Sequence, residues 1–362
     1  METQWWQQRR DELLALASQV TPLYVFNEET LNDTLFDLLS MEALGCLLYP
    51  VQANPDSKML RKAFEQGVGF WCISCDEMDG LLEKFPYLDP QQIVFSPKAP
   101  NGQDFERAFD KGACVLVNDL NVLTEWPDVF RGRRVFIPGD LGSDEGRFRL
   151  KGIPVQGFYA LLKGDSPSAC SPDDTVSLLT EALRHFPEGK ILILGCGTEQ
   201  VMDNGRDGMD IPAMGEYLEA IGHAFPGFNL WLELPNWMLA RAGVLMVRVV
   251  EAGGKAGTRC VRVNADMETL SGNGRSGISH GIVNLSRPDS QKTISPTCII
   301  GEAGGPEYRT DLSKAPASIE EGDILAFTNM GAPGAEKYST GKGWHTVPQH
   351  YLNARKICPV RI

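Results

Sequence analysis

The chain has 362 residues, 43% hydrophobic and 22% charged, which is typical of a globular protein with about two domains. Its formal net charge of −13 argues against general nucleic-acid binding and against docking on an anionic membrane surface. Because no apolar run approaches the roughly 18 residues that span a bilayer, and the first ten residues lack the apolar core of a signal peptide, we expect a cytoplasmic protein that binds neither nucleic acid nor membrane.

Short apolar segments alternate with helical patterns over the first two thirds of the chain. The apolar segments have the length of strands, and most are followed by residues with the apolar spacing of a helix. This alternation predicts a parallel sheet, either open or closed into a barrel. The predicted strands are Leu23–Phe26, Gly45–Val51, Gly69–Ile73, Gln92–Phe95, Ala113–Val117, Arg134–Ile137, Val155–Phe158, Lys190–Leu194 and Leu230–Leu232. The predicted helices include Glu29–Met41, Ser57–Gln66, Glu77–Phe85, Asp104–Lys111, Asp174–Phe186 and Met214–Ala224.

The pattern changes after Gly243. Four segments there are rich in β-branched or apolar residues, and turn residues separate them: Val244–Val250, Thr258–Asn264, Ile278–Leu285 and Ile324–Thr328. This pattern predicts an antiparallel β domain. We therefore expect the domain boundary near residue 240.

Nine cysteines lie mostly inside apolar segments, so we expect buried, reduced thiols. Cys72 and Cys75 form a CxxC pair, which could act in redox chemistry or as half of a zinc site. No second CxxC accompanies it, and none of the five histidines is spaced i, i+4 from another on a helix. The sequence therefore predicts no metal site.

The segment Leu47–Asp56 (LLYPVQANPD) is an apolar strand that ends in Ala-Asn-Pro. Together with Gly67–Glu77 (GVGFWCISCDE), it resembles the start of the barrel in the ornithine/diaminopimelate decarboxylase family, whose enzymes use pyridoxal phosphate (PLP). Within that family, the chain resembles the decarboxylase half of bifunctional aspartokinase/diaminopimelate decarboxylases. Further stretches in the family's order are QWWQQRRDELLALA, EWPDVFRGR, LWLELPNWMLARAGVLMVRV, NADMETL, HGIVNLSRPD, EEGDILAFTNMGA and YLNAR.

The resemblance implies a fold and an assembly. The fold is an alanine-racemase-like (β/α)8 barrel of the TIM type over residues 23–240, followed by an antiparallel β domain over residues 241–362. An N-terminal helix within residues 1–22 is expected to pack on the β domain, and the chain is expected to form a homodimer. Between Asp140 and Val155 the chain has fewer residues than the family, so we expect one shortened barrel crossover.

The family attaches PLP to a lysine amine, and Gln52 occupies that position here. A carboxamide nitrogen is delocalised and cannot form this bond. Lys98 follows a predicted barrel strand and Lys163 lies in the family's phosphate turn, so both are candidate replacement lysines.

Other positions of the family's cofactor site differ as well. Four replacements follow in chain order: Leu161 stands in place of a histidine, Gly164 in place of a serine, Gly195-Cys196-Gly197 in place of three glycines, and Asn236 in place of an arginine. Glu233 is retained, and Tyr159 lies beside the site. The resemblance therefore implies weak or lost PLP binding, so that no cofactor is expected. The neighbouring aromatic residues Trp71, Tyr159 and Trp237 are expected to fill part of the pocket.

The substrate and dimer motifs also differ from the family's. Gly272 takes the place of an arginine and Pro333 that of a tyrosine. The loop that the family donates across its dimer corresponds to residues 296–302. It keeps the family's cysteine as Cys298 and its glycine as Gly301, whereas Ile299 and Glu302 differ from the family's residues.

Three functions stay open at this point. The first is a non-catalytic homologue, a pseudoenzyme that acts through a protein partner. The second is a repurposed small-molecule binder or enzyme, and the third is a residual PLP-dependent amino-acid decarboxylase with a relocated lysine. The glycines of Lys190–Gln200 (KILILGCGTEQ) also resemble the first motif of S-adenosylmethionine methyltransferases, a weaker signal that a residual anion-binding turn also explains.

Overall fold

The computed structural model describes residues 4–141, 150–162, 171–196, 210–255, 258–265, 281–288, 297–301, 308–309, 315–332, 337–340 and 343–352. They divide into two compact units. The barrel unit lies within Leu35–Gln200 and Met209–Pro235, and the β unit takes in Met1–Thr34 and Asn236–Ile362. In the described part of the chain, no helix combines the length and apolarity needed to cross a membrane.

The chain begins with two helices of the β unit, α1 (Trp5–Gln8) and α2 (Arg10–Gln19). Their buried face joins the apolar core of the sheet that follows, and the indole nitrogen of Trp5 donates a hydrogen bond to the Arg241 carbonyl (2.8 Å). Burial of this face stabilises the helices more than their own propensity does. The shared core contains Trp5, Leu13, Ala17, Leu23, Val25, Val244, Met246, Leu285, Ile324, Ala326 and Leu352.

The next strand, β1 (Leu23–Asn27), belongs to the β unit and not to the barrel. It pairs antiparallel with a later strand at Val25 and Val244, and parallel with the last strand at Val25 and His350. The predicted start of the barrel at residue 23 is therefore corrected to the region of α3 (Glu28–Leu39), since the units divide between Thr34 and Leu35. An apolar strand that is buried on both faces does not indicate which sheet it joins.

Eight parallel strands form the barrel, in the order β5-β4-β3-β2-β9-β8-β7-β6. A parallel bridge between Leu116 and Phe136, with a hydrogen bond from the Val117 amide to the Phe136 carbonyl (2.9 Å), joins the two ends. The predicted (β/α)8 barrel is therefore confirmed. The strands are β2 (Leu44–Pro50), β3 (Gly69–Cys72), β4 (Ile93–Phe95), β5 (Cys114–Val115), β6 (Val135–Pro138), β7 (Val155–Leu162), β8 (Ile191–Cys196) and β9 (Asn229–Glu233).

Helices follow most barrel strands, as a parallel sheet requires. Their starts carry side-chain caps: Asp56 accepts a hydrogen bond from the Lys58 amide, and Asn101 and Asp104 form a capping box. The expected short crossover after β6 lies partly at residues 142–149, outside the described residues. The helices are α4 (Ser57–Glu65), α5 (Cys75–Lys84), α6 (Gly102–Lys111), α7 (Asn121–Glu125), α8 (Pro127–Phe130), α9 (Pro172–His185) and α10 (Ile211–Ala224).

The β unit continues with the short helix α11 (Pro235–Leu239) and a mixed sheet. The predicted β domain is thus present, but its sheet is mixed, because β11 runs parallel to β13 and β1 parallel to β18. Its strands are β10 (Gly243–Lys255), β11 (Thr258–Val263), β12 (Ile282–Asn284), β13 (Thr297–Ile300), β14 (Tyr308–Arg309), β15 (Ile324–Thr328) and β18 (Gln349–Leu352), with a separate hairpin of β16 (Lys337–Thr340) and β17 (Gly343–Thr346).

Candidate ligand site at the barrel mouth

Alternate residues of the barrel strands form an apolar core inside the barrel, because side chains of a strand alternate between its faces. The core lies below the carboxyl ends of the strands, where the loops form the mouth. Its buried members are Leu48, Val94, Cys114, Leu116, Phe136, Ile193 and Trp231, with Cys46, Trp71, Tyr159 and Ile191 packed against them. Polar side chains that follow these strands therefore gather at the mouth.

The mouth brings together two of the predicted site residues, Gln52 and Lys98. Gln52 lies in the 3-10 turn Val51–Ala53 directly after β2, and Lys98 follows β4. The Lys98 Nζ donates a hydrogen bond to the Gln52 Oε1 at 3.0 Å. Both side chains are exposed. A primary amine therefore lies next to the side chain that occupies the family's lysine position.

The mouth also holds polar residues that the sequence analysis did not identify. Ser96 is buried after β4 and accepts a hydrogen bond from Asn118 Nδ2 (2.8 Å). Glu77 accepts a hydrogen bond from the Ile73 amide (2.8 Å). Burial raises the pKa of the Glu77 carboxyl, and the nearby charge of Lys98 offsets part of this rise. A sequence signal exists for all three, because each follows the carboxyl end of a predicted strand.

Glu233 ends β9, two residues after the interior residue Trp231, and so faces the inside of the barrel. Only 8% of its surface is exposed. Burial raises the pKa of its carboxyl from 4.5 to about 8, and within the described part of the chain no hydrogen bond to that carboxyl is found. It is therefore an uncharged carboxyl at neutral pH, suited to a basic nitrogen of a ligand.

Tyr159 packs directly over Gly195, on the neighbouring strand. A β-carbon added at Gly195 would lie 2.1 Å from the Tyr159 hydroxyl oxygen, so the Tyr159 ring could keep its position only with a glycine there. The Tyr159 ring also contacts Trp71, with ring centroids 5.6 Å apart. Two of the three aromatic residues expected to fill the pocket therefore contact each other in the barrel interior.

The other predicted residues occupy varied positions. Leu161 is near the end of β7 with 51% of its surface exposed, and Cys196 ends β8. Asn236 is the second residue of α11. In the β unit, Cys298 and Ile299 are buried in β13, and Gly301 follows it. Lys163, Gly164, Gly197, Gly272, Glu302 and Pro333 lie outside the described residues.

The CxxC cysteines are both free thiols. Burial raises the pKa of Cys72 well above its usual value and that of Cys75 to about 11. Thiols with raised pKa values form little of the reactive thiolate at neutral pH. The redox interpretation of this pair is therefore disfavoured, and no cluster of metal-ligating side chains occurs among the described residues.

Comparisons with known proteins relate the chain to decarboxylases. No protein-family model matches it. A diaminopimelate decarboxylase from Deinococcus radiodurans is 23% identical over 249 residues, which span 64% of this chain and 64% of that protein. The matched region is thus less than two thirds of this curated relative.

Solved structures share the fold over nearly the whole chain. The structure of SrLDC in complex with PLP and cadaverine has a TM-score of 0.75 at 16% identity, covering 94% of this chain and 93% of that one. The lysine/ornithine decarboxylase complexed with putrescine from Vibrio vulnificus has a TM-score of 0.73 at 13% identity, covering 96% and 98%. At these identities the likeness concerns the fold.

The expectation of no cofactor is wrong as a conclusion from the resemblance, because the structurally similar SrLDC is in complex with PLP. Gln52 excludes attachment only at its own position, and the Lys98 amine lies beside it. Lys98 and the buried Glu233 carboxyl, which has no hydrogen bond to another described residue, both fit such a group. The chain therefore has the fold of these decarboxylases, and its resemblance to the ornithine/diaminopimelate decarboxylase family is confirmed.

Proposed function

We propose that the barrel mouth binds PLP and that the protein decarboxylates an amino acid, with Lys98 as the residue that holds the cofactor. The observation that carries this proposal is the 3.0 Å contact between Lys98 Nζ and Gln52 Oε1. In the family the attaching amine projects from the position of Gln52, so the amine of Lys98 lies close to the place that chemistry needs. Lys98 would hold the cofactor through its side-chain amine.

Glu233 provides the second part of the proposed site. PLP supplies a ring that withdraws the electrons left behind when the substrate's carboxylate departs as carbon dioxide. A buried carboxyl with a pKa of about 8 carries its proton at neutral pH, so Glu233 would hold the group by a hydrogen bond to its basic ring nitrogen. Such a contact would favour the charged ring and would give the buried carboxyl a hydrogen-bond partner.

The remaining residues of the mouth give the site its shape. Trp71 and Tyr159 cover the apolar core beneath the mouth, so a ligand there is shielded from water on one side. Ser96 and Asn118 form a hydrogen-bonded pair at the neighbouring strand ends, which offers polar contacts for an amino-acid substrate. We expect the substrate to be a basic or diamino acid, since the relatives named above act on such molecules.

Reductive trapping tests the attachment. Incubation with PLP, reduction with borohydride and peptide mass spectrometry are expected to place the pyridoxyl group on Lys98. Lys98→Arg keeps the charge but removes the reactive amine, so it should abolish the adduct. Lys58→Arg is the matched control, because Lys58 is an exposed lysine on α4 of the same barrel. An adduct on another lysine, or an unchanged adduct in the Lys98→Arg variant, would contradict the role of Lys98.

Release of carbon dioxide tests the activity. The wild type is expected to decarboxylate at least one of diaminopimelate, lysine, ornithine and arginine, and Lys98→Arg should remove this activity. We expect Gln52→Lys in the Lys98→Arg background not to restore it, because the cofactor site differs from the family's at several further positions. Restored activity in that double variant would contradict this expectation.

A second candidate is a non-catalytic homologue that acts through a protein partner. The observation in its favour is Leu161, an apolar side chain with 51% of its surface exposed near the end of β7, where the family has a histidine. The carbon dioxide assay separates the two candidates. Absence of release from all four amino acids supports the non-catalytic homologue and contradicts the decarboxylase proposal for these substrates.

A further inference from the structure

A second cavity lies at the opposite end of the barrel from the mouth. Its volume is about 390 Å³. Gln91 precedes β4, Arg133 and Arg134 precede β6, and Gln156 is the second residue of β7. These positions are at the amino ends of parallel strands, whereas Gln52 and Lys98 follow carboxyl ends. The cavity is therefore separate from the proposed catalytic site.

Arg133 is the central feature of this cavity. Its guanidinium lies over the Phe109 ring, 4.9 Å from the centroid, and its Nη2 is 3.5 Å from Asp110 Oδ1. These contacts hold the planar guanidinium in place. Its Nη1 is buried and has no hydrogen-bond partner in the described structure. A charged N–H group that lacks an acceptor is costly to bury, so the protein compensates the positive charge of Arg133 only in part.

The surroundings favour an anion as that acceptor. Arg134 is a second arginine of the cavity wall, and Asp110 is the single carboxylate among the described residues that line it. Gln91 and Gln156 add amide groups, although the Gln156 Nε2 already donates to Cys114 Sγ at 3.7 Å. A guanidinium presents paired N–H groups that match the oxygens of a carboxylate or a phosphate. The volume is that of a small-metabolite pocket.

We propose that this cavity binds a small organic anion through a carboxylate or phosphate group held by Arg133 and Arg134. The site is independent of the PLP proposal, since it shares no residue with the mouth. It adds a second ligand, at the end of the barrel where chemistry does not take place.

Calorimetric titration with succinate and with inorganic phosphate tests the proposal, at a constant ionic strength set with sodium chloride. At least one anion is expected to bind saturably, and Arg133→Gln should weaken that binding at least about tenfold. Arg134→Gln should weaken it as well. Arg131→Gln is the matched control and should leave binding unchanged, because Arg131 pairs with Asp128 and does not line the cavity. The preferred anion shows whether a carboxylate or a phosphate is the natural group.

Two results would overturn the proposal. One is the absence of saturable binding of both anions, and the other is binding that Arg133→Gln and Arg134→Gln both leave unchanged. Circular dichroism checks that Arg133→Gln still folds. If it does not, Arg134→Gln decides the question, because Arg134 is exposed and its replacement leaves the core intact.

Discussion

At the scale of single residues, Glu233 links the site to stability. An acid whose pKa is raised on folding keeps its proton in the folded chain and loses it in the unfolded chain between pH 4.5 and about 8. The free energy of unfolding therefore falls as pH rises through this window and then levels off. We expect Glu233→Gln to remove most of this fall, so that above the window the variant is more stable by on the order of a few kcal/mol.

Urea unfolding on either side of the window, without added PLP, measures this effect. Glu83→Gln is the control, because Glu83 is an exposed carboxylate on α5, and its replacement should not change the pH dependence. If the wild type and Glu233→Gln lost the same stability across the window, Glu233 would not be a buried acid with a raised pKa.

Several residue contacts of the site were beyond prediction from sequence. The sequence indicated Gln52 and Lys98 separately, but not that their side chains meet across 46 residues of chain. That contact depends on the spacing of β2 and β4 around the barrel. The Glu233 carboxyl was identified only through the family motif, and its pKa depends on burial that no local pattern reports.

At the scale of elements, the barrel strands were the most predictable part. The eight predicted segments from Gly45–Val51 to Leu230–Leu232 all coincide with β2–β9. Strands buried on both faces are continuous apolar runs, which makes them easy to find. For the same reason the sequence did not show that β1 belongs to the β unit, since an apolar segment does not indicate which sheet it joins.

The contact between β7 and β8 gives a prediction at this scale. Gly195→Ala should destabilise the fold by about 1–3 kcal/mol, because the new methyl group would overlap the Tyr159 ring. Tyr159→Leu should relieve the overlap, so the double variant loses less stability than the sum of the single ones. Gly80→Ala is the matched control in α5, where no atom lies within 4 Å of the added carbon. It should be neutral or stabilise the helix. Strictly additive losses would show that the two residues do not touch.

At the scale of the whole molecule, we expect the protein to form a homodimer, as the family resemblance implies. Multi-angle light scattering at micromolar concentration should give twice the mass of one chain. A C2 dimer uses the same surface on both copies, so it should dissociate into single chains on sufficient dilution. One-chain mass at every concentration would contradict the dimer and would favour a different protein partner.

The pairing of β1 has a consequence for how the polypeptide acquires its structure. β1 pairs with β10 and with β18, so that Val25 meets both Val244 and His350. All eight barrel strands lie between the first of these strands and its partners in the sequence. During synthesis the barrel strands are made before β10 and β18, so the barrel can close first. Until β10 and β18 are made, β1 is an apolar strand with unpaired edges. From the high contact order of this sheet, we expect its completion to be slow and the unpaired strand to be prone to aggregation until then.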